Sequence, residues 1–106
     1  MTEATVHSRI CGHVHKIKGE LKGDKIIIDI ETPCKNVKKI SHLEVPMMEI
    51  MKIKDNYVME KAQEANCGAN CLVPCAIINV CKLESEFIAK SLAKKAGSIE
   101  IVFDDL

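Results

Sequence analysis

From Thr5 to Lys18 the chain alternates, with Val6, Ser8, Ile10, Gly12, Val14 and Lys16 on one side. His7, Arg9, Cys11, His13, His15 and Ile17 fall on the other. This pattern predicts a β-strand with a bulge near Gly12. Gly19–Asp24 reads as a turn, and the isoleucine-rich Lys25–Glu31 as a second strand antiparallel to the first. The period then changes. Thr32 stands as an N-cap with Pro33 at the first helical position, and Val37 and Ile40 face the core with Leu43 or Val45 behind them. Pro46 opens a further helical stretch, Met47–Ile53, and Asp55 or Asn56 caps another over Tyr57–Ala65. Ala76, Ile77, Val80, Leu83 and Phe87 recur at helical steps, giving an amphipathic helix from Pro74 to Lys95 with a break near Ser85. Gly97 ends it, and Ser98–Phe103 alternates again as a last strand. The expected order is β-β-α-α-α-β, an α+β two-layer sandwich. A β-hairpin and a C-terminal strand form a small sheet with the helices on one face.

Length and composition narrow the classes. A chain of 106 residues fits one domain spanning 1–106, and 47% hydrophobic with 28% charged residues is ordinary for a globular protein. Fifteen basic and fifteen acidic residues cancel, which leaves no electrostatic footprint for nucleic acid or a membrane surface. Aromatics reach only 3%, too few for a base-stacking surface. No basic segment leads into an apolar stretch at the N-terminus, and no apolar run approaches a membrane span. A cytoplasmic setting is therefore expected, in which cysteines serve as ligands or redox groups rather than as a disulfide framework.

The chain carries six cysteines: Cys11, Cys34, Cys67, Cys71, Cys75 and Cys81. One local pattern occurs twice. Thr32-Pro33-Cys34 and Val73-Pro74-Cys75 each put a cysteine in the first turn of an expected helix, where unpaired N–H groups favour a thiolate or an anionic cluster. Cys71 precedes the second helix, and Cys11 sits mid-strand in the first hairpin arm. Cys11, Cys34, Cys71 and Cys75 thus form a candidate all-thiolate ligand set. Cys67, on a flexible Gly-Ala-Asn loop, is a fifth candidate, either ligand or resolving thiol. Cys81 lies mid-helix and reads as a buried small hydrophobe. Cys11, His13 and His15 share one strand side, read as a solvated polar face, and His7 and His42 as surface residues without a local partner. Met47, Met48, Met51 and Met59 read as core or partner-facing packing, which makes 43–59 a candidate surface for a homodimer. No phosphate-binding glycine loop, Gly-x-Ser-x-Gly or His-Glu-x-x-His is present, and no pair of acidic residues suggests acid–base catalysis.

Cys11-Gly12, Ile30-Glu-Thr-Pro-Cys34 with Val37 and Lys38, Cys71-x-Val73-Pro74-Cys75-Ala-Ile-Ile78 and Ser98-Ile-Glu-Ile101 together resemble a family of small cysteine-containing proteins of methanogenic archaea and anaerobic bacteria. No activity is known for that family. The resemblance covers about residues 8–103. Cys11, Cys34 and Cys71 match its pattern directly. Leu72 stands where the family has Pro, and Gly68 where it has a His, a role Cys67 can take over from one position earlier. The resemblance implies the site and an anaerobic setting. Cys71 and Pro74 also resemble the helix start of small two-layer sulfur-carrier proteins of tRNA thiolation.

Three functional readings follow. The first is a small cytoplasmic metal-binding protein, most simply one holding a [4Fe–4S] iron–sulfur cluster for electron transfer or cluster handling, with structural zinc as the alternative content of the same thiolates. The second is a thiol-redox or sulfur-carrier protein with Cys71 or Cys75 as nucleophile and Cys67 or Cys34 resolving. The third is an interaction module whose cysteines only support the fold. The expected partner is a redox or sulfur-metabolism protein.

Overall fold

The structure is a computed structural model and describes all 106 residues. The α+β architecture holds: four antiparallel strands in the order β1-β2-β3-β4 carry helices on one face. The strands are β1 (Thr2–Ser8), β2 (His13–Lys22), β3 (Lys25–Glu31) and β4 (His42–Pro46), and the helices α1 (Lys35–Lys38), α2 (Tyr57–Glu64), α3 (Leu72–Glu84) and α4 (Lys90–Ala96). No helix is long and apolar enough to cross a membrane.

The sheet is built from the first 46 residues alone, and here it departs from the expected three strands. What reads as one bulged strand is a hairpin. Gly12 has φ 77°, its N–H donates to the Ser8 carbonyl at 2.8 Å, and the chain reverses over residues 9–12. Cys11 therefore sits in a turn, not mid-strand. The Gly19–Asp24 turn is shorter than expected: β2 pairs with β3 as far as Lys22↔Lys25, leaving Gly23 (φ 65°) and Asp24 as a two-residue connection. Gly19 is a strand residue for a different reason. A Cβ built on it would lie 2.5 Å from Val80 Cγ1 of α3 and 3.2 Å from Ile28 Cδ1. The missing side chain is what lets helix and sheet approach.

His42–Pro46 forms a strand because Leu43 and Val45 alternate with exposed His42 and Glu44, pairing Ile28↔Leu43 and Ile26↔Val45. Met47–Ile53 is a series of turns rather than a helix. It is held by Met47 N–H to the Asp24 carbonyl (3.0 Å) and Tyr57 N–H to the Glu49 carbonyl (2.9 Å), with only Ile50 fully buried. Met48, Met51 and Met59 are exposed, while Met47 packs against the core. Asn56 caps α2, its Oδ1 accepting from Val58 and Met59 N–H at 3.0 and 3.2 Å.

The core lies between the inward row Val6, Ile17, Ile26, Ile28 and Val45 and the α2 and α3 residues Val58, Val73, Ile77 and Val80. Cys81 belongs to it, fully buried as expected. The far end of α3 is locked by Glu84, whose carboxylate accepts from Thr2 Oγ1 (2.6 Å), Leu21 N–H (3.2 Å) and Lys90 Nζ (3.4 Å). Ser98–Phe103 forms no strand and leaves the body after Gly97 (φ 79°), with Ile99, Ile101 and Phe103 exposed. Nothing in its own chain pairs with it.

Candidate functional site

Three cysteines, Cys34, Cys67 and Cys71, lie near enough to influence one another's charge at the end of the sheet opposite Glu84, each held by a different local structure. Thr32 closes β3. Its Oγ1 accepts the Cys34 N–H at 3.0 Å and shares a 2.7 Å hydrogen bond with Nδ1 of His15. Cys34, rather than Thr32, is the N-cap residue of α1, with extended backbone (φ −79°, ψ 125°). Pro33 stands outside the helix. The buried His15 thus fixes the approach to α1 and the placement of the Cys34 thiol.

Cys67 arrives from the end of α2. Asn66 adopts φ 61°, its N–H donates to the Gln63 carbonyl (3.1 Å), and the Cys67 N–H donates to the Ala62 carbonyl (2.9 Å). This paired 5→2 and 6→1 bonding is a Schellman C-cap. Cys67 is therefore pinned and packed against the core, not carried on a free loop. The Asn36 amide, in the first turn of α1, donates to the Asn66 carbonyl at 3.2 Å and ties the two segments together.

Cys71 is the N-cap of α3, reached through a tight turn in which its N–H donates to the Gly68 carbonyl at 3.0 Å. The helix starts at Leu72, so Pro74 and Cys75 lie further inside it than expected. Neither Cys34 nor Cys71 uses its side chain to cap. All six cysteines are free thiols.

The electrostatics register the convergence. Burial pushes the Cys67 thiol up, and the neighbouring Cys71 and Cys34 push it further, with Lys39 offsetting part of the effect. Thiolates so arranged repel one another unless a cation or proton intervenes. As they stand, no three His, Cys, Asp or Glu side chains close around an ion.

Cys11 and Cys75 are exposed, and neither stands against Cys67 as Cys34 and Cys71 do. Cys75 lies one turn along α3, its carbonyl and sulfur approached by the Asn79 amide at 2.9 and 3.6 Å. Cys11 lies at the tip of the β1–β2 hairpin, at the sheet end where His15 meets Thr32. Cys81 is remote in character: burial pushes its thiol up to about 12.

The histidine face corrects a sequence expectation. His15 is only 2% exposed and faces the core, because β2 begins after the turn and its inward row is His15, Ile17 and Gly19. Burial, then the charge of nearby His13, lowers its pKa and favours the neutral ring. His42 does have a partner, Asp29 Oδ1 at 2.7 Å from its Nδ1. Thr32, His15 and Asn66 position the site, and of these only Thr32 belongs to a sequence motif. For the other two, Asn66 directly before a cysteine at the end of a helical period is the one legible hint.

The family of unknown function DUF6951 matches residues 2–96 of the chain. The chain belongs to that family. No curated protein and no solved structure matches it. The DUF6951 match includes all six cysteines and stops short of the exposed C-terminal tail.

Proposed function

We propose that this DUF6951 chain is a cytoplasmic metal-binding protein whose centre is the trio Cys34, Cys67 and Cys71, holding an iron–sulfur cluster. The observation that carries the reading is the proximity of three thiols from two segments, the β3–α1 and α2–α3 connections, none of them spent on capping or a disulfide. Soft thiolates are the donors that iron–sulfur clusters and zinc select. Backbone bonds at Cys34, Cys67 and Cys71 fix the segment that carries each thiol. Cys75, one turn beyond Cys71, and Cys11, on the hairpin at the same end, are the candidates for the fourth ligand position. A bound cluster would supply one-electron transfer or be passed on, with a redox or sulfur-metabolism protein as partner. Structural zinc is the alternative content of the same donors.

A second reading uses the same proximity. Cys71, at the N-terminus of a thirteen-residue helix, would act as thiolate in a thiol-redox or sulfur-carrier role, with Cys67 or Cys34 resolving.

Anaerobic purification followed by visible spectroscopy and metal analysis separates these. Broad absorption near ~400 nm with iron and acid-labile sulfide supports the cluster. Stoichiometric zinc without colour moves the centre to a structural site. Absence of metal after reconstitution, with one thiol alkylating rapidly at low pH, refutes the metal reading and favours the thiol chemistry.

A further inference from the structure

Residues 98–103 have the pattern of a strand and no sheet to join. Ile99, Ile101 and Phe103 alternate with Ser98, Glu100 and Val102, and all three apolar residues are more than half exposed. The helix that leads to them, α4, buries no residue, and Leu92 on it and Phe87 before it are exposed as well. A monomer rarely leaves this much contiguous apolar surface in solvent.

The same chain has an edge that fits it. The sheet ends in β1 and β4. β4 is five residues long and ends in Pro46, both devices that discourage further pairing. β1 is seven residues long and contains no Pro, Lys or Gly. Its inward row, Ala4 and Val6, would continue naturally into a neighbouring row of Ile99, Ile101 and Phe103. An edge without such protection invites a further strand.

We infer that residues 98–103 of one copy pair with the β1 edge of a second copy, reciprocally, closing a two-fold dimer by arm exchange. Two arms of six residues, with Phe87 and Leu92 at their roots, would bury about 1,000–1,500 Å² in total, which reaches the lower range of stable interfaces. Reciprocal exchange is closed, because each copy's arm covers the β1 edge of the other and the assembly ends at two chains. The pairing uses none of Cys34, Cys67 and Cys71. The 43–59 stretch is not needed for it.

The test uses the full chain in reductant, which removes disulfide-linked dimers through exposed Cys11 or Cys75. Light scattering coupled to size exclusion should give twice the 11.8 kDa of one chain. Hydrogen exchange should show protected amides both in 98–103 and along β1. Ile101→Lys with Phe103→Lys, at positions that pack on nothing within the chain, should return the mass to one chain and abolish the protection of 98–103 while leaving β2 and β3 protected. A monomeric parent with protected 98–103 would mean pairing within one chain and would overturn the inference. So would a monomer without protection there, or a dimer that persists in the double variant.

Discussion

Gly19→Ala tests how α3, which carries Cys71, is seated on the sheet. Gly19 has ordinary strand geometry, so alanine would by itself reduce backbone freedom in the unfolded chain and favour folding by about 0.5–1 kcal/mol. The packing acts in the opposite direction. The new Cβ would fall 2.5 Å from Val80 Cγ1 and 3.2 Å from Ile28 Cδ1, both on fully buried side chains. Overpacking of this kind costs roughly 1–3 kcal/mol, so a net loss of about 1–2 kcal/mol is expected. Val80→Ala alone removes buried methyl groups and should cost about 2 kcal/mol. Combined, the two should cost less than their sum by about 1 kcal/mol or more, because the added carbon occupies the space vacated. Urea denaturation of the four proteins measures the cycle, with the slope of each transition checked for constancy. Additivity within about 0.5 kcal/mol, or a Gly19→Ala variant as stable as the parent, would refute the close-approach argument.

Other substitutions probe the ends of the same helix. Burial acts to raise the Glu84 pKa, but hydrogen bonds from Thr2, the Leu21 N–H and Lys90, with the charge of Lys90, outweigh it and hold the carboxyl at about 2 against an ordinary 4.5. A carboxylate depressed on folding contributes stability that is present above its unfolded pKa and is lost as pH falls towards its folded one. Glu84→Gln should therefore cost about 2 kcal/mol at pH 7, and the gap from the parent should close between pH 4.5 and about 2; a gap independent of pH contradicts the assignment. Cys81 should resist iodoacetamide in the native protein while exposed Cys11 and Cys75 react. Cys81→Ser should destabilise the chain by about 1–3 kcal/mol through a buried hydroxyl, without changing metal stoichiometry. Rapid native labelling at Cys81, read by peptide mass spectrometry, would contradict its burial.

The α+β class was readable because strands and helices have different periods, and the inward row of β3 and the α3 stripe stand out in the sequence. Boundaries were harder to read where backbone conformation decides them. The reversal at residues 9–12 turns on Gly12 at φ 77°, and an alternating pattern continues across it without interruption. Gly19 looks like turn chemistry, yet it serves a helix contact sixty residues away in the chain, which no local pattern contains. The 42–46 strand does alternate, but it is short and ends in Pro46. Ser98–Phe103 has the right pattern and no partner in its own chain.

At the site, the cysteines themselves announced candidate chemistry and their meeting did not. Cys71 could be placed just before a helix and Cys34 at the start of one from Pro and Cys spacing, although Cys34 is the N-cap rather than a first-turn residue. Cys67 joins them through an αL residue at Asn66 and a C-cap bond, which depend on where α2 stops. Cys75 sits one turn too far along because the helix begins at Leu72 rather than at Pro74. His15 was hidden for the same reason as the hairpin: the turn placed before it sets which face it shares.

The most direct measurement of the central claim is iron and sulfide content per chain after anaerobic reconstitution, taken in parallel for the parent and single variants. The parent should bind about four iron and four sulfide per chain for a [4Fe–4S] cluster. Cys34→Ser, Cys67→Ser and Cys71→Ser should each lose most of that content, whereas Cys81→Ala retains it. A parent that takes up no metal, or a Cys81→Ala variant that loses as much as Cys67→Ser, would contradict a centre built on Cys34, Cys67 and Cys71.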